Sequence, residues 1–578
     1  MQDKIKIKIP LLKTLKSYPT KWLRRDVIAG VTVASVAVPQ AMAYAQLAGV
    51  PIAMGLYATL IGMVVFAFFS TTRFVNVGPD AAMAALAGAT VIPLAGGDIE
   101  RAAALVVILS IFIGIICIIA VYSRLGFIAE FLSRPILLGY MAGLALAVIA
   151  SQAPKIFGLP APLQTNFFGS LNYILTNIAN FNWEVIAFSS SILALGILLP
   201  MRFKRLPVAL IILVGSTLIS MAIGFIYNGI PVLGNVPTGL PFPHLPAIKP
   251  LDLQNLVVPA LAISVIGYAN TIAIARSFAA RKNDEVSANQ EFIGLGASNI
   301  ASGLFGGIPV SASASRSAVN FDSNAKTQVS QIFGAATIAM SLLFLAPFLK
   351  YLPVSALAII IILAAAKLFD YKELKSIWKA WHSEAILAII TVLGVTFLGI
   401  FQGLLLAVLL AIINLVRRTA FPQDAILEIA SNGSFRDRSR PPKTQPIEGL
   451  LIYRFDAPLF FGNASYFRER VLNLINDNDS NVKWFLWDAE TITSIDSTAA
   501  KMLEGLIADL KARNVTLAVA RMKGTVRTTI SHTSRLAGYL YRSPHFTSLG
   551  EAVEAYHDKY PLTTKNQPSP VKKSISKK

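Results

Sequence analysis

The sequence predicts a polytopic α-helical membrane protein with a small α/β domain at its C-terminal end, and three observations predict that class. The 578 residues are 54% hydrophobic and only 14% charged, with a mean hydropathy of +0.61, whereas a soluble chain carries about a quarter charged residues. Long stretches up to residue 418 are nearly uncharged, while the remainder has ordinary soluble composition. The basic residues flank the apolar runs, as the positive-inside pattern requires.

From the N-terminus, Lys4, Lys6, Lys8, Lys21, Arg24 and Arg25 give a basic cytoplasmic lead-in over 1–25. It lacks the apolar run and small-residue cleavage site of a signal peptide. Apolar segments of spanning length follow near 27–45, 55–70, 102–122, 134–151, 184–201, 207–227, 255–277, 291–304, 331–349, 354–367, 383–399 and 401–416. Half-length segments starting near Asp80 and Ser313 bring the predicted crossings to about fourteen. With the N-terminus cytoplasmic, the even-numbered connections hold Arg73, Arg124, Arg202 with Lys204 and Arg205, Arg281 with Lys282, Lys326, Lys367 with Lys372 and Lys375, and Arg417 with Arg418. Odd-numbered connections, such as the Pro/Gly-rich 228–250 stretch, are poor in lysine and arginine. The expected membrane domain is therefore 26–418, in the cytoplasmic (inner) membrane, with the C-terminal domain on the cytoplasmic side.

Two polar breaks interrupt this apolar half. One reads Gly78-Pro79-Asp80-Ala81-Ala82-Met83; the other runs from Gly306 through Ser311, Ser313, Ser315 and Arg316 to Ser317. Irregular backbone at membrane depth survives only where protein or a water-filled cavity satisfies it. Paired breaks in the third and tenth crossings mark a transporter's binding site, and seven spans per half give inverted repeats. Topology alone carries that repeat, since no residue-level repeat is evident.

The second break points to an anion. A helix N-terminus presents free N–H groups and roughly half a positive charge, Ser311, Ser313, Ser315 and Ser317 add hydroxyls, and Arg316 adds a planar fork suited to oxyanions. The plainer alternative makes the serines caps and Arg316 a snorkelling or carboxylate-paired side chain. An intramembrane arginine is costly and usually functional, which favours anion binding. Asp80 has three readings: cap of the first half-helix, partner of Arg316 in the empty site, or proton carrier. In the first span, Pro39 frees a carbonyl and kinks the helix. Gln40 and Tyr44 share one face, where Gln40 reads as a site-lining amide and Tyr44 as ordinary packing.

Other classes find little support. The net charge of +20 is not gathered on one soluble face, so a nucleic-acid partner is not expected. Cys117 is the only cysteine, in an apolar run, and the five histidines lack metal-ligand spacing, so neither a disulfide framework nor a metal site is expected. No catalytic triad, phosphate-binding glycine loop or carboxylate pair stands out in the C-terminal domain, which reads as a scaffold or regulatory unit; no enzyme activity and no cofactor are expected of the chain.

After a linker over 419–446 the pattern becomes α/β over 447–562. Strands are expected at 450–455, 484–488 and 515–520, with helices at 464–476 and 499–511. The basic tail 563–578 has the composition of a disordered segment. Asp496 or Ser497 would cap the helix that begins near Ala499.

Val38-Pro39-Gln40-Ala41-Met42-Ala43-Tyr44 continues into Leu47-Ala48-Gly49-Val50-Pro51 and Gly55-Leu56-Tyr57. Together with Gly78-Pro79, Ser313-Ala314-Ser315-Arg316-Ser317 and the C-terminal domain, this resembles the SulP (sulfate permease) family over nearly the whole chain. The resemblance implies a seven-plus-seven inverted repeat divided into core and gate, elevator-like movement, a cytoplasmic STAS domain and, commonly, a homodimer. It implies an anion site on Gln40, Tyr44, Asp80, Ala81, Ser313, Ala314, Ser315 and Arg316. One departure touches coupling: many proton-coupled members carry a glutamate in the eighth span, where this chain has Asn270 within Gly267-Tyr268-Ala269-Asn270-Thr271-Ile272-Ala273. Asparagine cannot change charge, which leaves exchange against a counter-anion, sodium coupling or protonation elsewhere, Asp80 included. Asn270 itself reads as a polar ligand or as interhelical glue. In related STAS proteins the loop matching Asp496-Ser497-Thr498 carries a phosphorylatable residue, which makes Ser497 a candidate regulatory site.

The expectation is a secondary active transporter of a small inorganic anion, sulfate first, working in the lipid bilayer with a proton, sodium or counter-anion. Bicarbonate, chloride or a dicarboxylate are the alternative cargoes, and an anion channel or a sensor on the same fold the alternative modes.

Overall fold

The computed structural model describes residues 9–123, 134–160, 167–203, 206–225, 230–234, 239–247, 249–281, 284, 286–441, 444–477, 482–532, 536–539 and 543–561. Lys4, Lys6, Lys8, Arg124, Lys204, Arg205, Lys282 and the basic tail lie outside them. The chain divides into two units, 1–411 and 412–578.

In the first unit the apolar segments are helices. They are α2 (Thr20–Leu47), α3 (Ile52–Phe69), α4 (Ala81–Ala95), α5 (Ile99–Tyr122), α6 (Arg134–Ile156), α8 (Trp183–Arg202), α9 (Val208–Ile223), α10 (Pro250–Ala280), α11 (Ala288–Leu304), α12 (Ala314–Asp322), α13 (Val329–Phe344), α15 (Val354–Ala366), α17 (His382–Leu398) and α18 (Ile400–Ala420). Among the described residues, eight helices are long and apolar enough to cross a membrane, and four shorter apolar ones accompany them. The sequence reading did not anticipate α1 (Pro10–Lys16), α7 (Phe167–Thr176) or α16 (Tyr371–Ala380), and it read α13 and α14 (Ala346–Leu349) as one segment over 331–349.

These helices form two packed groups. In one, α11 lies against α3 and α5, α13 against α2 and α3, and α10 against α5. In the other, α6 lies against α15 and α17, and α15 against α8. Missing side chains set the closest approaches. A Cβ on Gly114 would sit 2.5 Å from the Gly296 carbonyl, and one on Gly296 would sit 2.9 Å from the Gly114 carbonyl. α5 and α11 therefore touch backbone to backbone, as small residues permit between membrane helices.

The second unit is built on a sheet of order β4-β3-β6-β7-β8-β9, with β5 beside β3. Its strands are β3 (Asp424–Ala430), β4 (Phe435–Asp437), β5 (Thr444–Gln445), β6 (Leu450–Phe455), β7 (Trp484–Asp488), β8 (Thr516–Ala520) and β9 (His545–Phe546). β6 to β9 run parallel, and β3 joins β6 antiparallel. Alternation sorts the side chains. Leu451, Tyr453, Phe485, Trp487, Leu517 and Val519 pack with α19 (Ala464–Asp477) and α20 (Ser497–Ala512). Leu450, Ile452, Trp484, Leu486 and Ala518 pack instead with α22 (Leu549–Lys559), which follows α21 (Gly524–Ser531). Both faces are covered, as a parallel sheet requires. Strands β3 to β5 lie in the stretch read from sequence as linker. Asp496, not Ser497, caps α20 by accepting from the Ala499 N–H at 2.7 Å. Ser497 is the exposed first residue of that helix.

Candidate anion site

Each break in the membrane half holds a two-residue strand. β1 (Val77–Gly78) and β2 (Ser311–Ala312) pair antiparallel, with Val77 opposite Ala312 and Gly78 opposite Ser311. α4 follows β1, and α12 follows β2, almost at once. Because the strands run antiparallel, the helices leave one junction in opposite directions and both bring their N-terminal ends to it.

The local chemistry of that junction follows from its residue types. Pro79 donates no backbone N–H and so ends the pairing of β1. Asp80 caps α4, its Oδ1 accepting from the Met83 N–H at 2.8 Å. Ser313 caps α12, its Oγ accepting from the Arg316 N–H at a long 3.5 Å and sharing a bond of 3.2 Å with the Ser315 hydroxyl. Side chains from neighbouring helices satisfy the irregular backbone. Asn299 accepts from the Val310 N–H at 3.0 Å and donates to its carbonyl at 2.9 Å. Ser302 donates to the Ile308 carbonyl at 2.8 Å, and Thr271 accepts from the Ala312 N–H at 3.2 Å. Intramembrane backbone is thus tolerated because it is buried in protein that pairs it.

Arg316 is fully buried. Among the described residues its partners are neutral oxygens: Nε donates to Asn76 Oδ1 at 3.1 Å, while Nη1 donates to the Pro79 carbonyl at 2.9 Å and to Gln40 Oε1 at 3.4 Å. Nη2 has no partner. A Cβ on Gly78 would lie 3.0 Å from that Nη2, so glycine there lets the guanidinium lie along the backbone. Burying a cation costs roughly 3 kcal/mol even on insertion scales, and neutral oxygens compensate it only in part. An anion at Nη2 would complete the compensation through charge-assisted hydrogen bonds.

Asp80 is not the partner of Arg316. Its Oδ2 accepts from the Ser311 hydroxyl in a short contact and from Asn270 Nδ2 at 3.2 Å. The same Asn270 amide donates to the Ala312 carbonyl at 3.0 Å. Asn270 therefore ties α10 to both breaks at once. Of the other residues singled out by sequence, Gln40 reaches Arg316 and Tyr44 is buried one turn further along α2. Ala81 is the buried first residue of α4, whereas Ala314 and Ser315 are exposed at the start of α12. Gln40, Asp80 and Asn270 are each partly exposed, so two helices, α2 and α10, and the two half-helices open onto the same junction. Ser311 and Ser317 face inward instead: Ser317 Oγ accepts from the Asn76 N–H at 3.0 Å.

Asn76 is the residue that sequence reasoning missed. Its amide oxygen holds Arg316, its N–H holds Ser317 and its carbonyl accepts from the Ser313 N–H at 2.9 Å. One sequence signal was present: a lone amide two residues before the first break.

The Sulfate permease family model matches residues 23–391, and the STAS domain model matches residues 441–552. The chain belongs to the sulfate permease family. It is accordingly a multi-pass membrane anion transporter with a STAS domain, and not an enzyme. A probable sulfate transporter of Mycobacterium tuberculosis (strain CDC 1551 / Oshkosh) is 36% identical over 548 residues, which cover 95% of this chain and 98% of the relative. The chloroplastic sulfate transporter 4.1 of Arabidopsis thaliana is 29% identical, over 96% of this chain and 83% of its own. Among solved structures, the murine anion transporter Slc26a9 in its inward-facing state superposes with a TM-score of 0.88, at 22% identity and 96% coverage of both chains. The transmembrane domain of a cyanobacterial bicarbonate transporter, BicA, gives 0.60 at 22% identity, over 68% of this chain and 98% of that one. At such identity these two structures establish the sulfate permease fold alone.

Proposed function

We propose that the chain is a secondary active sulfate transporter whose anion sits between the N-terminal ends of α4 and α12, against Arg316. The observation that carries this reading is the fully buried guanidinium with neutral partners and a free Nη2. Gln40, the first-turn amides of both half-helices from Ala81 and Ala314, and the hydroxyls of Ser313 and Ser315 complete the donor set. Tyr44 walls it. The names of the mycobacterial and plant relatives support sulfate as the cargo.

Charge balance adds a condition. Two helix N-termini contribute roughly half a charge each, so together with Arg316 and an ionised Asp80 the site carries about one net positive charge. A monovalent anion neutralises it, whereas sulfate overshoots by about one charge. Sulfate is therefore expected to travel with a cation, a proton taken up by Asp80 or a sodium ion beside it. Without such a cation the same site suits bicarbonate or chloride, in exchange or through a channel.

The interchange of packing partners supports two inverted repeats of seven spans: α5 lies on α10 and α11 as α13 lies on α2 and α3. The group holding α4 and α12 then moves as the elevator against the group built on α6, α15 and α17. Flanking cations support placing the N-terminus and the STAS domain on the cytoplasmic side of the inner membrane, and we take the working unit to be a homodimer. Ser497, exposed at the start of α20, is accessible to a regulatory kinase.

Uptake of labelled sulfate into proteoliposomes, under separately imposed proton and sodium gradients, tests the reading. Saturable uptake is expected, driven by one of the two gradients and lost in Arg316→Ala. Saturable uptake that ignores this substitution would overturn the site assignment.

A further inference from the structure

The short helix α16 links α15 to α17 and packs on α17 and α6. Only one of its faces is used there. Ile377 is buried, and Glu373 is paired with Arg134. The rest of the surface is largely exposed, apart from the Trp378 ring lying 5.9 Å from that of His382, and has a specific chemistry. Tyr371 is 63% exposed, Trp378 48%, and Trp381 just beyond the helix 58%. On a helix the positions of Tyr371, Lys375 and Trp378 fall side by side, with Lys379 and Lys372 on the adjoining strip. All three lysines are exposed, and Lys375 Nζ lies 5.8 Å from the centre of the Tyr371 ring. The carboxylates of the segment are both engaged, Glu373 by Arg134 and Asp370 by capping the helix through the Glu373 N–H at 3.0 Å.

An aromatic row bordered by lysines is what a helix lying at the level of lipid headgroups presents. A purely hydrocarbon neighbour would leave the lysines unpaired, and bulk water would leave the aromatic rings uncovered. The charge that complements three adjacent ammonium groups is negative. We propose that the Tyr371–Trp381 face of α16 docks on an anionic lipid leaflet, the rings inserted among the headgroups and Lys372, Lys375 and Lys379 against their phosphates. The surface belongs to the helix group without half-helices, so the contact would hold the frame of the protein to the bilayer while the anion site moves. It does not depend on which anion is carried.

The test uses the full chain in vesicles of phosphatidylcholine, or of phosphatidylcholine with about a third phosphatidylglycerol, one lipid at a time being brominated to quench tryptophan fluorescence. Brominated phosphatidylglycerol is expected to quench more than brominated phosphatidylcholine. The excess should vanish in the Trp378→Phe/Trp381→Phe protein. It should fall by about fivefold in lipid preference per lysine removed as Lys372, Lys375 and Lys379 are changed to Gln, and survive their change to Arg. Equal quenching by the two lipids, or an excess that outlasts the Gln changes, would overturn the proposal. So would a face that lipid does not quench and whose Gln variant dissociates into smaller particles, because a second copy of the chain would then cover it. Quenching needs no transport, so its failure is separable from failure of the sulfate reading.

Discussion

The two breaks share one plan, yet they finish it differently. At the first, every polar group of the cap is used: Asp80 takes donors from Met83, Ser311 and Asn270, and the helix behind it is buried and apolar. At the second, the cap is loose, the next two residues are exposed, and the guanidinium keeps one nitrogen free. A saturated carboxylate frames a site; an unsaturated cation is left for a ligand. The difference assigns the fixing of geometry to the first half-helix and the attraction of the anion to the second.

The sharpest way to break that division is to change Arg316. Arg316→Ala removes the full positive charge at the junction and strands three acceptors, so sulfate uptake should fall by at least about a hundredfold, the scale of removing one partner of a buried charge pair. Arg316→Lys keeps the charge without the fork. It should retain the melting temperature of the solubilised protein but raise the KM for sulfate by about tenfold or more. Wild-type kinetics in the lysine protein would show that only the charge matters.

Asn76 tests the same contrast from the frame. In Asn76→Asp a carboxylate would stand 3.1 Å from Arg316 Nε and occupy the cation internally. The KM for sulfate should rise by about ten- to a hundredfold, while Asn76→Ala, which merely frees Nε, should cost less. Equal kinetics in the two variants would mean that Arg316 is not what the anion meets.

How far the sequence revealed this arrangement depends on the range of each interaction. The caps were legible because Asp80 and Ser313 act on amides three residues away, and the helices because their apolar runs are long. Arg316 stood out because a cation is expensive where it lies. The antiparallel pairing of Val77 with Ala312 was not legible, nor was the Asn76 grip on Arg316, since the partners lie more than two hundred residues apart in sequence and no local preference encodes them. Asn299 looked like any polar residue in a helix, and its role appears only when Val310 arrives beside it. Asn270 was noticed for a missing charge, while its observed function is to donate to Asp80 and Ala312 together. The strand at 424–430 hid because Asp424 and Glu428 interrupt its apolar alternation.

Asp80→Asn separates frame from coupling. The amide keeps an acceptor for the Met83 cap but turns donors toward Ser311 or Asn270, which should cost about 1–3 kcal/mol of stability, read as a lowered melting temperature. If sulfate travels with a proton on Asp80, uptake should also stop responding to an imposed proton gradient. A destabilised protein that still follows the proton gradient would leave Asp80 a pure frame residue and move coupling elsewhere.

Ser315 bears on the loose cap directly. Ser315 is exposed and, among the described residues, its hydroxyl is held by Ser313 Oγ at 3.2 Å, so Ser315→Ala should leave the melting temperature unchanged. If that hydroxyl turns to the anion, its loss removes one hydrogen bond to a charged group, worth about 1.5–3 kcal/mol, and the KM for sulfate should rise by about ten- to a hundredfold at unchanged Vmax. Ser311→Ala gives the mirror result, because that hydroxyl is committed to Asp80: stability should drop and KM stay near wild type. Reversed outcomes for the two serines would exchange the roles of frame and ligand between the breaks.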